Sequence, residues 1–156
     1  CNGEFIRFAE HWYECYGYDP NKTAATLARK RVNSRIVTDL NGSFPLVHVI
    51  TLFDVLEHME DPRQFLMRCR DLLEPKGIVA VTTPNVDAVP QWADERLLNW
   101  KHYKPKEHLF LFSESGLDRL MQQAGYEPVH WGTEESDIRP DNPNGDILTC
   151  VARRIT

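Results

Sequence analysis

No stretch of this 156-residue chain stays apolar for the ~20 residues a helix needs to cross a bilayer, so no membrane segment is expected. Nor does a basic run followed by an apolar one stand near the start, as in a secretory leader. Cysteine is scarce: four residues, at 1, 15, 69 and 150, with no Cys-x-x-Cys pair, which excludes a zinc knuckle or a dithiol redox motif. Free thiols in a reducing cytoplasm are the expected state, and cytoplasmic the expected location. Clustered positive charge is also missing. The net charge is −5, and the densest basic run, "ARKRVNSR" (28–35), falls where a helix end is expected and the helix dipole favours cations. A nucleic-acid partner is disfavoured on these grounds, since it calls for a broad basic face. Repeats and low-complexity tracts are absent. What is present is 42% apolar and 10% aromatic residues, enough for a packed core, and residues 1–156 are expected to form a single domain.

Helical and extended patterns alternate. "GEFIRFAEHW" (3–12) places Phe5, Phe8, Ala9 and Trp12 at helical spacing. "ECYGYD" (14–19) reads as a short strand ending in an acid, and Asp19 and Pro20 then open a helix over 19–31 with Ala24, Leu27 and Ala28 inward. "SRIVTD" (34–39) is a second strand ending in an acid. "LVHVITLF" (46–53) is apolar on both faces, as expected for a central parallel strand. Asp61 and Pro62 start a helix with Phe65, Leu66, Cys69, Leu72 and Leu73 inward, which "EPKG" (74–77) ends. "GIVAVTT" (77–83) is a buried strand. Residues 86–112 lose regularity and read as a cover or lid, with Trp92, Trp100, His102 and Tyr103 either lining it or forming its own core. "SESGLDRLMQQAG" (113–125) is a helix capped by Ser113 and stopped at Gly125. The strands "EPVHWGTE" (127–134) and "DILTCVARR" (146–154) make a closing antiparallel hairpin around a polar loop. The expected fold is therefore α/β: a three-layer sandwich with a Rossmann-like, mostly parallel sheet and a C-terminal antiparallel hairpin. Ligands of such sheets lie beyond the carboxyl ends of the strands, where Asp19, Asp39, Asp54 and Asn85 fall.

The segments "FDVLEHMEDP" (53–62), "DLLEPKGIVAVTTPN" (71–85) and "EHLFLFSESGLDRLMQQAGYE" (107–127), in this order and spacing, resemble the class I S-adenosylmethionine-dependent methyltransferases, in the subgroup with the VLEH…DP motif. The resemblance covers nearly the whole chain. It implies S-adenosylmethionine as methyl donor, leaving as S-adenosylhomocysteine, across the switch point of the sheet. It also implies that Gly3 approaches the methionine part and that Asp19, with Pro20, holds the ribose. Asp39 and Leu40 would meet the adenine, and Phe53 and Asp54 would lie near the sulfonium. The family's first strand and its Asp-x-Gly-x-Gly-x-Gly motif should precede Asn2, with Cys1 near the place of a middle glycine. An N-terminally incomplete domain, part of a longer chain, is therefore expected. Without that strand, the strands ending at Asp19 and Asp54 lack a shared neighbour. The alternative is a catalytically inactive methyltransferase-like module that binds or regulates.

The implied reaction is methyl transfer to a small-molecule acceptor, foremost at a hydroxyl oxygen. It requires alignment of nucleophile and donor and removal of one proton. His58 is the base candidate, because imidazole ordinarily titrates near neutrality; a structural cap bonded to backbone is the competing role. Glu57 and His108 complete the catalytic set. A divalent metal is the weaker reading of the same residues: Asp54 and Glu57 are one helical turn apart with His58 beside them, and His108 returns from the cover. Small-RNA 3′-end 2′-O-methyltransferases and some ubiquinone-pathway O-methyltransferases look similar over this stretch. Thr83 and Asn85 are expected at the border of the acceptor pocket. A nicotinamide-dependent oxidoreductase shares the strand-end acid and fits the closing hairpin less well. Oligomeric state has no signature here.

Overall fold

The computed structural model describes residues 3–41, 44–89, 94–135 and 145–155. It divides into two compact units, Cys1–Pro45 and Leu46–Thr156. Cys1, Trp92 and residues 136–144 of the polar loop lie outside the described residues.

In the first unit the order is α1 (Glu4–Ala9), β1 (Tyr16–Tyr18), α2 (Lys22–Arg29) and β2 (Arg35–Val37). β1 and β2 pair in parallel, with Gly17 opposite Ile36. Their small core is Ala25, Ala28, Val32 and Ile36, with Ile6 packed on it. Two helix readings are corrected here. α2 starts at Lys22 because Asn21, and not Asp19, is its cap, its side chain accepting from the N–H groups of Thr23 and Ala24. Its inward residues are Ala25 and Ala28, while Leu27 stays exposed. α1 is shorter than its pattern, and Phe5, Phe8 and Trp12 are all more than half exposed; only Ile6 of this helix reaches the core.

The second unit contains β3 (Val47–Phe53), a 3-10 turn (Leu56–His58), α3 (Pro62–Asp71), β4 (Leu73–Pro84), a second 3-10 turn (Val86–Ala88), α4 (Asp94–Leu98), α5 (Glu114–Gln123), β5 (Tyr126–Gly132) and β6 (Ile147–Arg154). The sheet order is β3-β4-β6-β5, with β3 parallel to β4 and the other two pairings antiparallel. The chain is thus mixed α/β with the expected antiparallel closing pair. β3, expected in the middle of a sheet, lies at the edge of this one, and Val49 is half exposed. Among the described residues no strand pairing joins the two sheets.

α3 begins as its sequence dictates. Asp61 Oδ1 accepts from Gln64 N at 2.8 Å, and Pro62, which has no N–H to leave unsatisfied, takes the first turn. α5 is capped by Ser113, whose hydroxyl accepts from Gly116 N, and ends before Gly125 at φ 87°. Leu66 and Cys69 of α3, Leu117 and Met121 of α5, and Val79 and Val81 of β4 fuse into one core with Tyr126, Leu148 and Cys150. Burying each large aliphatic chain contributes about 1.5–3 kcal/mol. The turn expected at Glu74–Gly77 is instead the irregular start of β4: pairing shifts register between Val47 and Val49, and Lys76 takes φ 65°. No helix among the described residues is long and apolar enough to cross a membrane.

Candidate active site

Parallel pairing sets the carboxyl ends of β1 and β2 on one edge of the first unit. Asp19 follows the first strand and Asp39 lies two residues beyond the second. Both acids fold the chain back in the same way. Asp19 Oδ1 accepts from Asn21 N at 2.9 Å, and Asp39 Oδ1 accepts from Asn41 N at 2.7 Å. These local turns fix the direction of both carboxylates. Pro20 is exposed beside Asp19, and Leu40 is half-buried beside Asp39. Gly3 has φ 85°, and a Cβ there would meet Ala28 Cβ and Val32 Cγ1 at 3.2 Å, so both backbone and packing call for glycine.

In the second unit β3 ends at Phe53, which is 38% exposed. Asp54 follows in the left-handed region at φ 53°, its N–H donating to Thr82 O at 3.0 Å. Such a conformation is sparsely populated for residues other than glycine, though Asp tolerates it better than most. It turns the chain sharply into the 3-10 turn Leu56–His58. Leu56 is fully buried and Glu57 goes in beside it, only 1% exposed. Glu57 Oε2 accepts from Thr83 Oγ1 at 3.1 Å, whereas Oε1 is buried with no hydrogen-bond partner. Burial pushes the Glu57 carboxyl above the usual carboxylate range and the charge of Asp54 adds to this; its backbone hydrogen bond, His58 and Thr83 act the other way.

A distant segment closes over this turn. Leu109 and Phe110 both donate backbone N–H groups to Glu57 O, at 2.7 and 3.2 Å, and His58 Nδ1 lies 2.8 Å from Glu107 O. These three bonds bring His108 edge-on to His58, ring centres 4.8 Å apart. His108 Nδ1 in turn lies 2.8 Å from His102 O. A carbonyl oxygen can only accept, so Nδ1 carries the proton in both rings, and each neutral ring keeps its lone pair on Nε2. Burial pushes the His108 pKa down, toward the neutral form, against the pull of the His102 carbonyl; His58 and Lys104 also push it down. His58 Nε2 stands 4.0 Å from Glu57 Oε1. Glu57, His58 and His108 each direct one ligand-type atom into a space where all three lie within 4.8 Å.

Of the residues singled out in the sequence, the structure therefore gathers Glu57, His58 and His108. Asp54 is not in that group: its left-handed backbone and the 3-10 turn replace the helical turn that would have aligned it with Glu57. Thr83 is fully buried and serves Glu57. Asn85 is a structural clamp, with Nδ2 donating to Gly145 O and Oδ1 accepting from Asp87 N. Trp100 packs edge-on against His102, whose carbonyl orients His108. The roles of the Glu107 and His102 carbonyls carry no sequence signal, because any residue supplies one. His130 Nε2 stands 3.2 Å from Glu134 Oε1.

The sequence family described as "Methyltransferase domain" matches residues 2–131. The chain belongs to the class I S-adenosylmethionine-dependent methyltransferase family. Within it, the chain is 34% identical over 80 residues to the ubiquinone biosynthesis O-methyltransferase of Dinoroseobacter shibae, which covers 49% of this chain and 32% of that protein. The protein of the same name from Caulobacter vibrioides is 32% identical over 110 residues, covering 58% of this chain and 43% of the relative. The chain thus matches less than half the length of these relatives. Among solved structures, an S-adenosylmethionine-dependent methyltransferase from Mesorhizobium loti superposes with a TM-score of 0.68 at 19% identity, over 97% of this chain and 86% of that one. The plantazolicin methyltransferase BpumL, in complex with a triazolic desmethylPZN analog and SAH, superposes with a TM-score of 0.71 at 14% identity, over 98% and 72%. At such identities the likeness shows the fold alone. Methyltransferase-family folds thus match the whole length of the chain.

Proposed function

We propose that this methyltransferase-family chain takes part in S-adenosylmethionine-dependent methylation of a small-molecule acceptor at a hydroxyl oxygen, in the cytoplasm. The observation that carries the reading is the trio Glu57, His58 and His108, two imidazoles whose Nδ1 atoms face backbone carbonyls and a buried carboxyl group beyond the end of β3. The donor, when bound, supplies a methyl group on a sulfonium and leaves as a thioether. In the first unit, Asp19 and Asp39 fit a ligand rich in hydroxyl and amino donors, because both carboxylates are oriented acceptors on one strand edge. In the second unit, His58 Nε2 accepts the proton of the acceptor hydroxyl as its oxygen forms the new bond to carbon. The Glu107 carbonyl holds the imidazolium that results, and the Glu57 carboxylate stabilises it across 4.0 Å. His108 orients His58 through its edge-on contact. The O-methyltransferase names of the relatives favour oxygen over nitrogen or carbon.

Titration calorimetry with S-adenosylmethionine and S-adenosylhomocysteine tests the reading first. We expect both to bind, and Asp19→Ala to weaken binding by about 10- to 100-fold, the worth of hydrogen bonds to a charged group. A deuterated methyl group should then appear on an acceptor oxygen by mass spectrometry. Absence of binding of either ligand favours the inert binding module.

A further inference from the structure

We propose that the face of the second unit's sheet turned away from α3 and α5 binds an uncharged, polyhydroxylated ring, a sugar-like molecule, along a line formed by Phe53, Thr82, Thr149 and Glu134. The line rests neither on the methyl donor nor on the proton transfer assigned to His58. Strand register places it. Phe53 of β3 is paired with Thr82 of β4, Thr82 with Thr149 of β6, and Thr149 with Gly132 of β5. Residues paired across a sheet stand on the same face, so these four make one line over all four strands. The adjacent line, Leu52, Val81, Cys150 and Trp131, packs into the core with α3 and α5. The first line therefore belongs to the opposite face. It lies toward the carboxyl ends of the parallel pair β3 and β4, where sheets of this kind hold ligands.

Two observations mark the line as a site. First, Thr82 and Thr149 stand directly opposite each other, and the Oγ1 of each is buried with no hydrogen-bond partner among the described residues. Thr82 is 2% exposed. Facing threonines can bond to one another; these do not. Thr83, on the helix-packed face, shows the contrast, since its hydroxyl donates to Glu57. Unpaired buried hydroxyls destabilise a fold, and a ligand hydroxyl relieves both by accepting from one and donating to the other. Second, Gly132 leaves the fourth place of the line to Glu134. A Cβ on Gly132 would collide with the Glu134 carboxylate, which thus occupies the side-chain position beside Thr149. His130, on the same face of β5, steadies that carboxylate, Nε2 to Oε1 3.2 Å.

This chemistry selects the ligand. A carboxylate only accepts, while each threonine both donates and accepts, and hydroxyl groups satisfy all three. An ammonium group cannot accept from threonine, and an anion meets Glu134. Phe53, partly exposed, with Ala80 and Val151 on the same face, supplies the apolar surface for the C–H side of a ring.

The test uses the full chain with isotope-labelled threonine methyl groups, titrated with D-glucose, D-mannose, L-rhamnose and myo-inositol, and with cyclohexanol as a ring carrying one hydroxyl. Thr82→Val and Thr149→Val assign the two resonances. We expect at least one of the four polyols to bind with a millimolar Kd, moving Thr82 and Thr149 and leaving Thr26 of α2 unmoved, and cyclohexanol to bind at least about 10-fold more weakly. Thr149→Val and Glu134→Gln should each weaken polyol binding at least about fivefold, and Thr82→Val should do so without lowering Tm, because it removes an unpaired hydroxyl. Glu134 is exposed, so Glu134→Gln decides the matter whatever a threonine variant does to folding. No binding of any of the four at about 50 mM, binding that leaves both threonines unmoved, or unchanged affinity in Glu134→Gln would overturn the assignment.

Discussion

Replacing Glu57 by Gln should make the metal-free chain more stable while it damages the site. The side chain is 1% exposed, one carboxylate oxygen accepts from Thr83 at 3.1 Å, and the other is buried without a hydrogen bond. Glutamine has the same shape. Its carbonyl keeps the Thr83 bond, and its amide takes the place of Oε1, facing the His58 Nε2 acceptor now 4.0 Å away. What is lost is a buried charge with Asp54 as a like-charged neighbour. An unsatisfied buried polar group costs about 1–3 kcal/mol, and the new amide recovers only part of this, so the net gain should be about 1 kcal/mol. For a chain of this size that raises Tm by about 2–4 °C. Thermal melts and urea titrations in chelator, at neutral pH, measure it. A loss of 1 kcal/mol or more in Glu57→Gln would refute the reasoning, because the carboxylate would then be a structural member of the core. The combination of higher stability and impaired function is the pattern of a residue retained for its chemistry.

Three further outcomes follow from packing and protonation. Asp61→Ala removes the cap of α3 and should cost about 1 kcal/mol in urea unfolding, with little effect from Asp61→Ser. Tyr126→Phe deletes a buried bond from the phenol to Leu66 O, 2.9 Å long, and should cost about 1–2 kcal/mol in the same assay. Burial pushes the thiols of Cys69 and Cys150 up to about 12, against 9.0 for the free thiol. Between pH 9 and 12 the unfolded chain therefore releases protons that the folded chain keeps, and stability falls as pH rises, by up to about 1.4 kcal/mol per unit per thiol. A Cys69→Ala/Cys150→Ala variant, whatever its stability at pH 8, should show a flatter decline above pH 9 by urea titration; an equal slope would contradict the burial.

What was legible in the sequence is what neighbours decide. Asp61–Pro62, Ser113 and Gly125 act within one helical turn, and all three punctuate helices where expected. Asp19 was read as the cap of α2, but Asn21 takes that place because its side chain reaches two backbone N–H groups at once. The aromatic spacing of α1 was a true periodicity, but Phe5, Phe8 and Trp12 meet no core among the described residues, and periodicity alone names no partner. β3 read as central because both its faces are apolar; sheet position depends on which strands pair, and that is not a local property. In the site, Glu57, His58 and His108 were found from residue type. Their convergence rests on backbone bonds from Leu109 and Phe110 to Glu57, some fifty positions away, which no side-chain pattern encodes. The same cause misplaced Asp54: its left-handed backbone at φ 53° leaves it out of the trio, although its spacing from Glu57 favoured inclusion.

The central claim is that the His58 lone pair, fixed by the Glu107 carbonyl, serves methyl transfer to an acceptor hydroxyl. Single-turnover transfer of a labelled methyl group by the full protein, with S-adenosylmethionine saturating, tests it most directly when wild type and His58→Ala are compared. The account predicts transfer by the wild type, with the labelled methyl on oxygen, and a loss of about 10²-fold or more in the variant with cofactor affinity preserved. Equal rates in the two proteins would contradict it.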